Sequence, residues 1–342
     1  MRVAVVGAGY WGPNLVRVFA QNPDVERVTV CDIDRKRLDR MAKAYPGIGT
    51  SGDLDALLSD GQIDAVVVAL PAALHYEAAR KALVAGKHVL VEKPLAATEK
   101  EASELCELAE RGGRVLMVGH TFLFNAAVKR VKEYIDGGTL GEVYYVYGQR
   151  LNLGIVRKDV DALWNLAPHD ISILLHWLGD RTPEKVSYQG ASYLQKGVDD
   201  VGFLSMHFAG GVMGHIHVSW LDPGKVRRMT VVGSSKMVVY DDVSTDARVQ
   251  LFDKGIDRKQ IDRSLGTFND YAEFQLLQRA GDLLIPRVDF PEPLKEEAAH
   301  FVACCRDGKA PIADGQNGLR VVRVLESARR SREQGGATVR LS

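Results

Sequence analysis

Short, continuous apolar runs alternate with helical patterns in the first part of the chain. Runs that are apolar at almost every position are typical of strands covered by helices on both faces, and such strands form parallel sheets. The pattern predicts strands at Arg2–Val6, Arg27–Cys31, Asp64–Leu70, Val89–Val91 and Arg114–Gly119. Helices are predicted between them, at about 13–19, 34–45, 75–85 and 98–111. This alternation favours an α/β domain whose sheet is completed by the strand at Arg114–Gly119.

The second part of the chain carries aromatic and β-branched residues at alternate positions. Strands are predicted at Val143–Tyr147, Val201–Phe208, Val212–Trp220, Val226–Val232 and Lys236–Tyr240. Gly-Gly, Asp-Pro-Gly and Gly-Ser turns separate the later ones, which indicates an antiparallel meander in an α+β domain. The boundary is expected near 120–125, giving an N-terminal domain at 1–121 and a C-terminal domain at 122–342.

Three helical patterns lie in this second part. The apolar run in Trp164–Gly179 predicts a buried helix with Pro168 in its first turn. Pro293–Arg306 and Gly318–Arg330 are amphipathic, and these last helices are expected to close the core and pack back toward the N-terminal domain. The polar stretch Asp253–Asp270 has no clear period and predicts a loop or an insertion.

Composition narrows the possible partners. The 342 residues carry 44 basic and 44 acidic side chains, so bulk charge favours neither nucleic acid nor a membrane surface. The four cysteines form no CxxC pair, which favours a reducing compartment. Met1-Arg2 leads directly into a strand, and no apolar run approaches the roughly 20 residues that span a bilayer. A cytoplasmic protein is expected.

A glycine turn follows the first strand. Gly7-Ala8-Gly9-Tyr10-Trp11-Gly12 has the GxGxxG spacing, and Pro13 begins the helix after it. Such a turn places backbone N–H groups and a helix N-terminus against a pyrophosphate. Asp32 ends the second strand, 20 residues beyond Gly12, where an acid can accept hydrogen bonds from a ribose diol. Asp32 would repel a 2′-phosphate, so NAD is predicted rather than NADP, although Arg35 and Arg37 lie nearby.

Two further groups of residues follow strand ends, where ligands bind in α/β sheets. Pro71 ends the strand that finishes at Leu70, and His75 opens the next helix as an expected lining residue of the cofactor site. The strand Val89–Val91 delivers the second group, Glu92, Lys93 and Pro94, to the same edge.

Lys93 is the candidate catalytic amine of this edge. An ammonium packed near a positively charged nicotinamide would have a lowered pKa. Glu92 alternates to the other side of the strand and is therefore expected to anchor structure.

The buried helix of the second part supplies a candidate base. Asn165 and His169 are four residues apart and therefore project from one helix face. His215 and His217 share one face of a strand, but no third ligand is near in sequence, and no metal site is predicted. A nicotinamide enzyme needs a group that takes the hydroxyl proton and a polar group beside the developing carbonyl. His169 and Lys93 are suited to these tasks.

Taken together, these motifs resemble the Gfo/Idh/MocA oxidoreductases, and the resemblance extends over nearly the whole chain. Glu-Lys-Pro after the buried strand is its most specific mark. The segments that carry it are the GxGxxG turn, Ala69–Pro71, Ala85–Lys87, Glu92–Pro94, Asn165–His169, Gly308–Pro311 and the final helix.

The resemblance implies a Rossmann domain followed by an open, predominantly antiparallel sheet that makes homodimer or homotetramer contacts. It implies that Lys93 is the catalytic lysine and that His169 is the general base on the substrate hydroxyl. The chain departs from the family pattern at Leu70, where many members have threonine, and at Asn165, where an acid is common. Asn165 can form hydrogen bonds but carries no charge.

The segment Trp164–Asp170 is similar to members that act on nucleotide-activated sugars, including enzymes that oxidise C3 of UDP-N-acetylglucosamine. Arg150, Asn152, Arg157 and Lys158 precede it and are candidates to bind a sugar diphosphate. The expected reaction is hydride transfer between a sugar ring carbon and NAD. The alternatives are a free sugar or inositol as substrate, a glycosidase or lyase that uses transient C3 oxidation, and a non-catalytic NAD sensor.

Overall fold

The computed structural model describes residues 1–154, 156–158, 160–256 and 278–341, and the chain divides into two compact units. The first unit is Met1–Asn125 with Phe290–Glu326, and the second is Ala126–Asp289 with Ser327–Ser342. The sequence placed the boundary at 121, whereas the first unit continues to Asn125 and also takes in a later segment of the chain.

The first unit contains a six-stranded sheet whose neighbouring strands are all parallel. The strands are β1 Arg2–Val6, β2 Arg27–Cys31, β3 Gly49–Ser51, β4 Ala65–Val68, β5 His88–Glu92 and β6 Leu116–Gly119. Their order is β3-β2-β1-β4-β5-β6. The predicted Rossmann-type α/β sheet is therefore confirmed. The sequence did not indicate β3, because three residues without large apolar side chains leave no pattern.

Helices connect these strands and cover their apolar side chains. They are α1 Gly12–Ala20, α2 Arg35–Ala44, α3 Leu54–Ser59, α4 His75–Val84 and α5 Glu99–Gly112. A capping box begins α5, since Thr98 accepts a hydrogen bond from the Glu101 amide and the Glu101 side chain accepts one from the Thr98 amide. Val66, Val67 and Val68 are fully buried, as expected for a central strand.

The second unit contains a nine-stranded mixed sheet. Its strands are β7 Val143–Leu151, β8 Lys185–Ala191, β9 Val201–His207, β10 Met213–Ser219, β11 Val226–Gly233, β12 Met237–Asp241, β13 Val249–Ile256, β14 Gln278–Leu284 and β15 Val339–Arg340. The sheet is predominantly antiparallel, as predicted, but β10 and β11 are not neighbours. β7 lies between them and pairs parallel with β10, so the predicted continuous meander is wrong at this point. The predicted loop Asp253–Asp270 begins inside β13, and its remainder lies outside the described residues.

The described part of this unit includes the helices α6 Ala126–Asp136 and α7 Ala162–Trp177. The prediction that Pro168 lies in the first turn of its helix is wrong, because α7 begins six residues earlier, at Ala162. Asp161 caps that start by accepting a hydrogen bond from the Trp164 amide at 2.8 Å. Pro168 therefore lies inside the helix, where its missing N–H deprives the Trp164 carbonyl of an intrahelical donor.

One face of the sheet in the second unit carries partly exposed aromatic side chains. Tyr145 and Tyr147 stack on each other along β7, and Phe203 stacks on His217 with ring centroids 4.3 Å apart. His215 contacts the Ser205 hydroxyl at 3.1 Å. Among the described residues no group of three or more His, Cys, Asp or Glu side chains is placed to hold a metal ion. A subunit contact through this face stays a prediction.

The last helices are α8 Pro293–Asp307 and α9 Gly315–Glu333. α8 packs in the first unit, where Phe301 meets Phe19 of α1 edge to face. α9 approaches β6 so closely that a Cβ atom at Gly318 would lie 2.5 Å from the Val118 side chain. No helix within the described ranges has the length and apolar character needed to cross a membrane.

Candidate active site

The carboxyl edge of the first sheet carries the glycine turn between β1 and α1. Gly7 has φ +101°, and a Cβ there would lie 2.5 Å from the Ala69 carbonyl oxygen. A Cβ at Gly12 would lie 2.0 Å from the Gly7 carbonyl oxygen. Both positions therefore require glycine for packing. A Cβ at Gly9 would meet only the Arg37 guanidinium, at 3.9 Å, so its backbone is open for a ligand to approach.

Asp32 fixes the second half of this edge. Its carboxylate accepts hydrogen bonds from the Ala8 amide at 2.7 Å and the Asp34 amide at 2.8 Å, which orients it at the end of β2. Arg37 lies 3.5 Å from the same carboxylate and also pairs with Asp34. Ile33, next to Asp32, is 97% exposed. An oriented acid, an open glycine backbone and an exposed apolar side chain together fit a dinucleotide such as NAD.

His75 joins the ends of the next two strands. Its side chain is buried at the start of α4, with Nδ1 2.7 Å from the Pro94 carbonyl oxygen and Nε2 2.8 Å from the Leu70 carbonyl oxygen. Hydrogen-bond contacts of the His75 ring thus connect three of the predicted residues, Leu70, His75 and Pro94. The fourth, Pro71, follows Leu70 as the N-cap of a short 3₁₀ turn. His75 therefore supports the edge by binding backbone, in addition to any lining role.

Lys93 follows β5 and is half-buried among titratable groups. Its backbone amide donates a hydrogen bond to Glu92 Oε2 at 3.3 Å. Burial lowers the pKa of His75 and of His120, which follows β6, and the positive charge of Lys93 lowers both further. Burial raises the pKa of Glu92 to about 7, against the lowering effects of Lys93 and a hydrogen bond from Trp11. The structure thus brings the predicted Glu92, Lys93 and Trp11 into one electrostatic cluster.

The residues predicted in the second unit lie on or near α7. Asn165 Oδ1 accepts a hydrogen bond from the Trp220 indole at 3.3 Å, and His169 lies one turn further along the helix. The His169 side chain is half-buried, and its backbone carbonyl accepts a hydrogen bond from the Ser172 hydroxyl at 2.8 Å. Asn165 and His169 therefore share a helix face, as their spacing predicted.

Because the predicted strand ends at Tyr147, the sequence predicts that Arg150 lies on a loop before α7. It lies instead in β7, buried, with Nε and Nη2 at 3.0 and 2.6 Å from Asp170 Oδ1. The loop assignment is wrong because nine residues, not five, belong to this strand. Asn152 directly follows β7, and Arg157 is exposed beyond it, with its carbonyl accepting a hydrogen bond from the Gln195 amide group.

Comparisons with known proteins agree with this geometry. Residues 1–120 match the model of an oxidoreductase family with an NAD-binding Rossmann fold. Residues 128–239 match the Gfo/Idh/MocA C-terminal domain. The chain belongs to the Gfo/Idh/MocA family. The family description and the fit at the glycine turn and Asp32 confirm NAD as the cofactor.

Relatives in the Gfo/Idh/MocA family include two curated proteins. D-glucoside 3-dehydrogenase of Escherichia coli is 33% identical over 152 residues, 44% of this chain and 43% of that protein. A dTDP-3,4-didehydro-2,6-dideoxy-alpha-D-glucose 3-reductase of Streptomyces violaceoruber is 34% identical over 144 residues, 42% of each chain. The aligned stretches span less than half of either relative. GenD2 from gentamicin A biosynthesis, crystallised with NAD, is 26% identical with a TM-score of 0.81, covering 100% of this chain and 96% of that one.

The Gfo/Idh/MocA sequence motifs did not reveal two buried titratable residues, one that interacts with Glu92 and one that interacts with Lys93. Glu297 of α8 is 1% exposed and accepts a hydrogen bond from the Thr121 hydroxyl at 2.9 Å. Burial, and then the charge of Glu92, hold the pKa of Glu297 well above its usual range. Burial and Lys93 lower the pKa of His120 to about 3. Two sequence signals could have indicated these residues: an acid on the apolar face of α8, and a histidine at the end of β6.

The carboxyl pair gives the stability of the first unit a defined pH dependence. A carboxyl whose pKa is raised by folding contributes stability below its unfolded pKa of 4.5, and this stability is lost as the pH rises through the folded pKa. Burial raises the pKa of Glu92 in the same direction, so both carboxyls lose this stabilising contribution as the pH rises. We expect Glu297→Gln to reduce the loss of stability with rising pH, because glutamine cannot ionise beside Glu92.

Urea unfolding followed by tryptophan fluorescence at a series of pH values measures this effect. Glu110→Gln, which changes an exposed carboxyl of α5, is the matched control and should follow the wild type. If the midpoints of Glu297→Gln and the wild type change with pH in parallel, Glu297 and Glu92 do not interact as described.

Proposed function

We propose that this protein transfers a hydride between NAD and a ring carbon of a sugar, at C3 of a nucleotide-activated sugar. The observation that carries the proposal is Lys93, which lies at the same sheet edge as the glycine turn and Asp32 and interacts electrostatically with His75, Glu92 and His120. Perturbed ionisable groups clustered at the carboxyl ends of parallel strands are typical of catalytic sites.

The residues of the chain divide the work between binding and proton transfer. Gly7, Gly9 and Gly12 would hold the pyrophosphate of the cofactor, and Asp32 its ribose diol. When bound, NAD supplies the carbon that accepts the hydride. His169 takes the proton of the sugar hydroxyl, and the ammonium of Lys93 stabilises negative charge on the same oxygen as the carbonyl forms. Each such contribution is worth about 10²- to 10⁴-fold in rate.

The names of relatives and the residues after β7 support the position on the sugar ring and the nucleotide. Both curated relatives named above carry a reaction at carbon 3 in their names, and one of them acts on a dTDP-sugar. Asn152 and the exposed Arg157 and Lys158 follow β7 and are suited to a diphosphate, since arginine and lysine side chains bind phosphate oxygens strongly. Arg150 is the weaker candidate, because Asp170 already neutralises its charge.

A second candidate substrate is a sugar without a nucleotide. It is favoured by the relative named D-glucoside 3-dehydrogenase. The two candidates share the same reaction and the same catalytic residues, and they differ only in whether the segment after β7 binds a diphosphate.

A matched substrate panel tests the reaction and separates the two candidates. The protein is incubated with NAD and with UDP-, dTDP- and GDP-sugars, each beside its free sugar and methyl glycoside, and NADH absorbance is followed. We expect NADH to accumulate in step with a 3-ketosugar identified by NMR. When the sugar carries deuterium at C3, we expect that deuterium to appear in the reduced cofactor. Products of glycosidic cleavage without NADH accumulation would instead support the transient-oxidation alternative. No turnover of any panel member would contradict the proposal.

A further inference from the structure

His75 contacts two hydrogen-bond acceptors at once. Nδ1 lies 2.7 Å from the Pro94 carbonyl oxygen, and Nε2 lies 2.8 Å from the Leu70 carbonyl oxygen. A backbone carbonyl can only accept, so each ring nitrogen must carry a proton to complete both bonds. A neutral ring has one N–H and one lone pair, and its lone pair would face an oxygen at hydrogen-bond distance.

A reoriented ring does not remove this requirement. Rotation of the imidazole by 180° would exchange both nitrogens for carbon atoms and lose both contacts. The arrangement therefore specifies the doubly protonated ring, in the buried interior of the first unit. Such a costly placement is retained in proteins where it fixes a geometry.

The two carbonyls belong to neighbouring strand ends. Leu70 follows β4, and Pro94 directly follows Lys93 at the end of β5, which pairs with β4 along its length. The His75 ring is thus a cross-link between these strand ends. Pro94 is bonded directly to Lys93. A displacement of the Pro94 carbonyl therefore also displaces the backbone that carries the Lys93 side chain.

We propose that His75 is a positioning residue for Lys93, and that its second ring proton completes the link which holds the Lys93 turn in place. The proposal rests on the catalytic role of Lys93 proposed above. It assigns His75 no contact with the substrate and no part in proton transfer to it.

The charges around His75 determine when the link is complete. Burial and the Lys93 ammonium lower its pKa below the ordinary value of 6.5, whereas the two carbonyl oxygens raise it, and the net direction is down. Among the described residues, Lys93 is the charged group that shifts this pKa, and Glu92 and His120 interact with Lys93 in turn. The doubly protonated ring is therefore present at acid pH, and one of the two contacts must open as the pH rises through the pKa.

Histidine NMR reads the ring state directly, without substrate. The intact protein is labelled with ¹⁵N-histidine, and long-range ring signals are recorded between about pH 5 and about pH 8. The His75 signal is the one missing from both His75→Phe and His75→Gln. We expect both of its nitrogens to be protonated at the acid end and one to lose its proton on titration. A His75 ring with an unprotonated nitrogen throughout the range would overturn the proposal.

His88 supplies a matched control in the same sheet. Its Nδ1 accepts a hydrogen bond from the Val115 amide at 3.0 Å, so this nitrogen must carry a lone pair. We expect His88 to show the neutral ring in the same spectra. His88→Gln should leave kcat unchanged, since His88 lies at the start of β5, far along the strand from Lys93.

Kinetics test the consequence for Lys93. We expect His75→Phe to lower kcat by about 10²-fold, the size expected when a catalytic group is misplaced by about an ångström, while the KM for NAD changes much less. The ionisation of His75 should also disappear from the pH profile of kcat. The inference is refuted if a folded His75→Phe protein has the wild-type kcat and pH profile while Lys93→Ala is inactive. That result would leave the proposed function standing. A doubly protonated His75 ring, combined with no turnover of any sugar in the panel, would refute the proposed function and leave the ring state inferred for His75 standing.

Discussion

Lys93→Ala lowers kcat by about 10³-fold and leaves the affinity for NAD nearly unchanged: this is the largest effect expected from the structure. The variant removes the ammonium that stabilises charge on the reacting oxygen, and one such group contributes about 10²- to 10⁴-fold. The groups that would hold the cofactor, at the glycine turn and Asp32, remain in place because their bonds are made to the backbone.

Two measurements separate the role of Lys93 from a structural one. NAD binding is titrated through tryptophan fluorescence, to which Trp11 of the glycine turn contributes, and kcat is measured with the sugar that the panel identifies. Lys100→Ala, which changes an exposed lysine at the start of α5, is the control and should behave as wild type. Full activity of Lys93→Ala with the true substrate would show that the ammonium is not used in the reaction.

The parts of this site that the sequence predicted are those specified by local pattern. Gly7 and Gly12 are required by close backbone approaches at the turn, Gly9 lies between them at the spacing of the motif, and Asp32 is found by its distance along the chain from that turn. Lys93 was identified because a buried strand ends immediately before it. In each case the information lies within about 25 residues, which is the span of one strand, turn and helix.

The remaining parts depend on contacts between distant segments. Glu297 lies about 200 residues beyond Glu92, and only the packing of α8 in the first unit places its carboxyl beside that acid. The pairing of β7 with β10 and β11 is likewise set by the whole second sheet, so consecutive strands alone suggested a meander. The two carbonyl contacts of His75 require that the ends of β4 and β5 are neighbours, which the sequence implied. They also require one orientation of the imidazole ring, which the sequence did not indicate.

The start of α7 shows how a strong local signal can be overridden. Proline is favoured in the first turn of a helix, and Pro168 suggested a helix that begins there. Asp161 provides a better start, because its carboxylate satisfies the otherwise unpaired Trp164 amide. One lost intrahelical bond at Pro168 is tolerated because the helix is buried along most of its length.

The second large effect is expected at the buried ion pair of the second unit. Arg150→Met should lower the free energy of unfolding by about 3–5 kcal/mol, because it leaves the Asp170 carboxylate buried without a counter-charge. Asp242 keeps its ion pair with Arg227 at 3.3 Å, so the uncompensated charge in this variant is that of Asp170. Urea unfolding followed by circular dichroism measures the change.

The double variant Arg150→Met/Asp170→Leu distinguishes a lost charge from lost packing. It removes both charges while keeping apolar volume, and we expect it to recover most of the stability. A double variant no more stable than Arg150→Met would show that packing of the guanidinium, not its charge, stabilises this site.

Arg150→Lys tests the two interpretations of this residue against each other. A lysine keeps the charge, but its single ammonium cannot reproduce the contacts that Nε and Nη2 both make with Asp170. If Arg150 bound a diphosphate, the variant would raise the KM for a nucleotide sugar and leave stability intact. We expect instead that Arg150→Lys lowers the free energy of unfolding and kcat, and leaves the KM for a nucleotide sugar nearly unchanged. The reason is that Asp170 follows His169 in α7, and its pairing with β7 holds the helix turn that carries the proposed base.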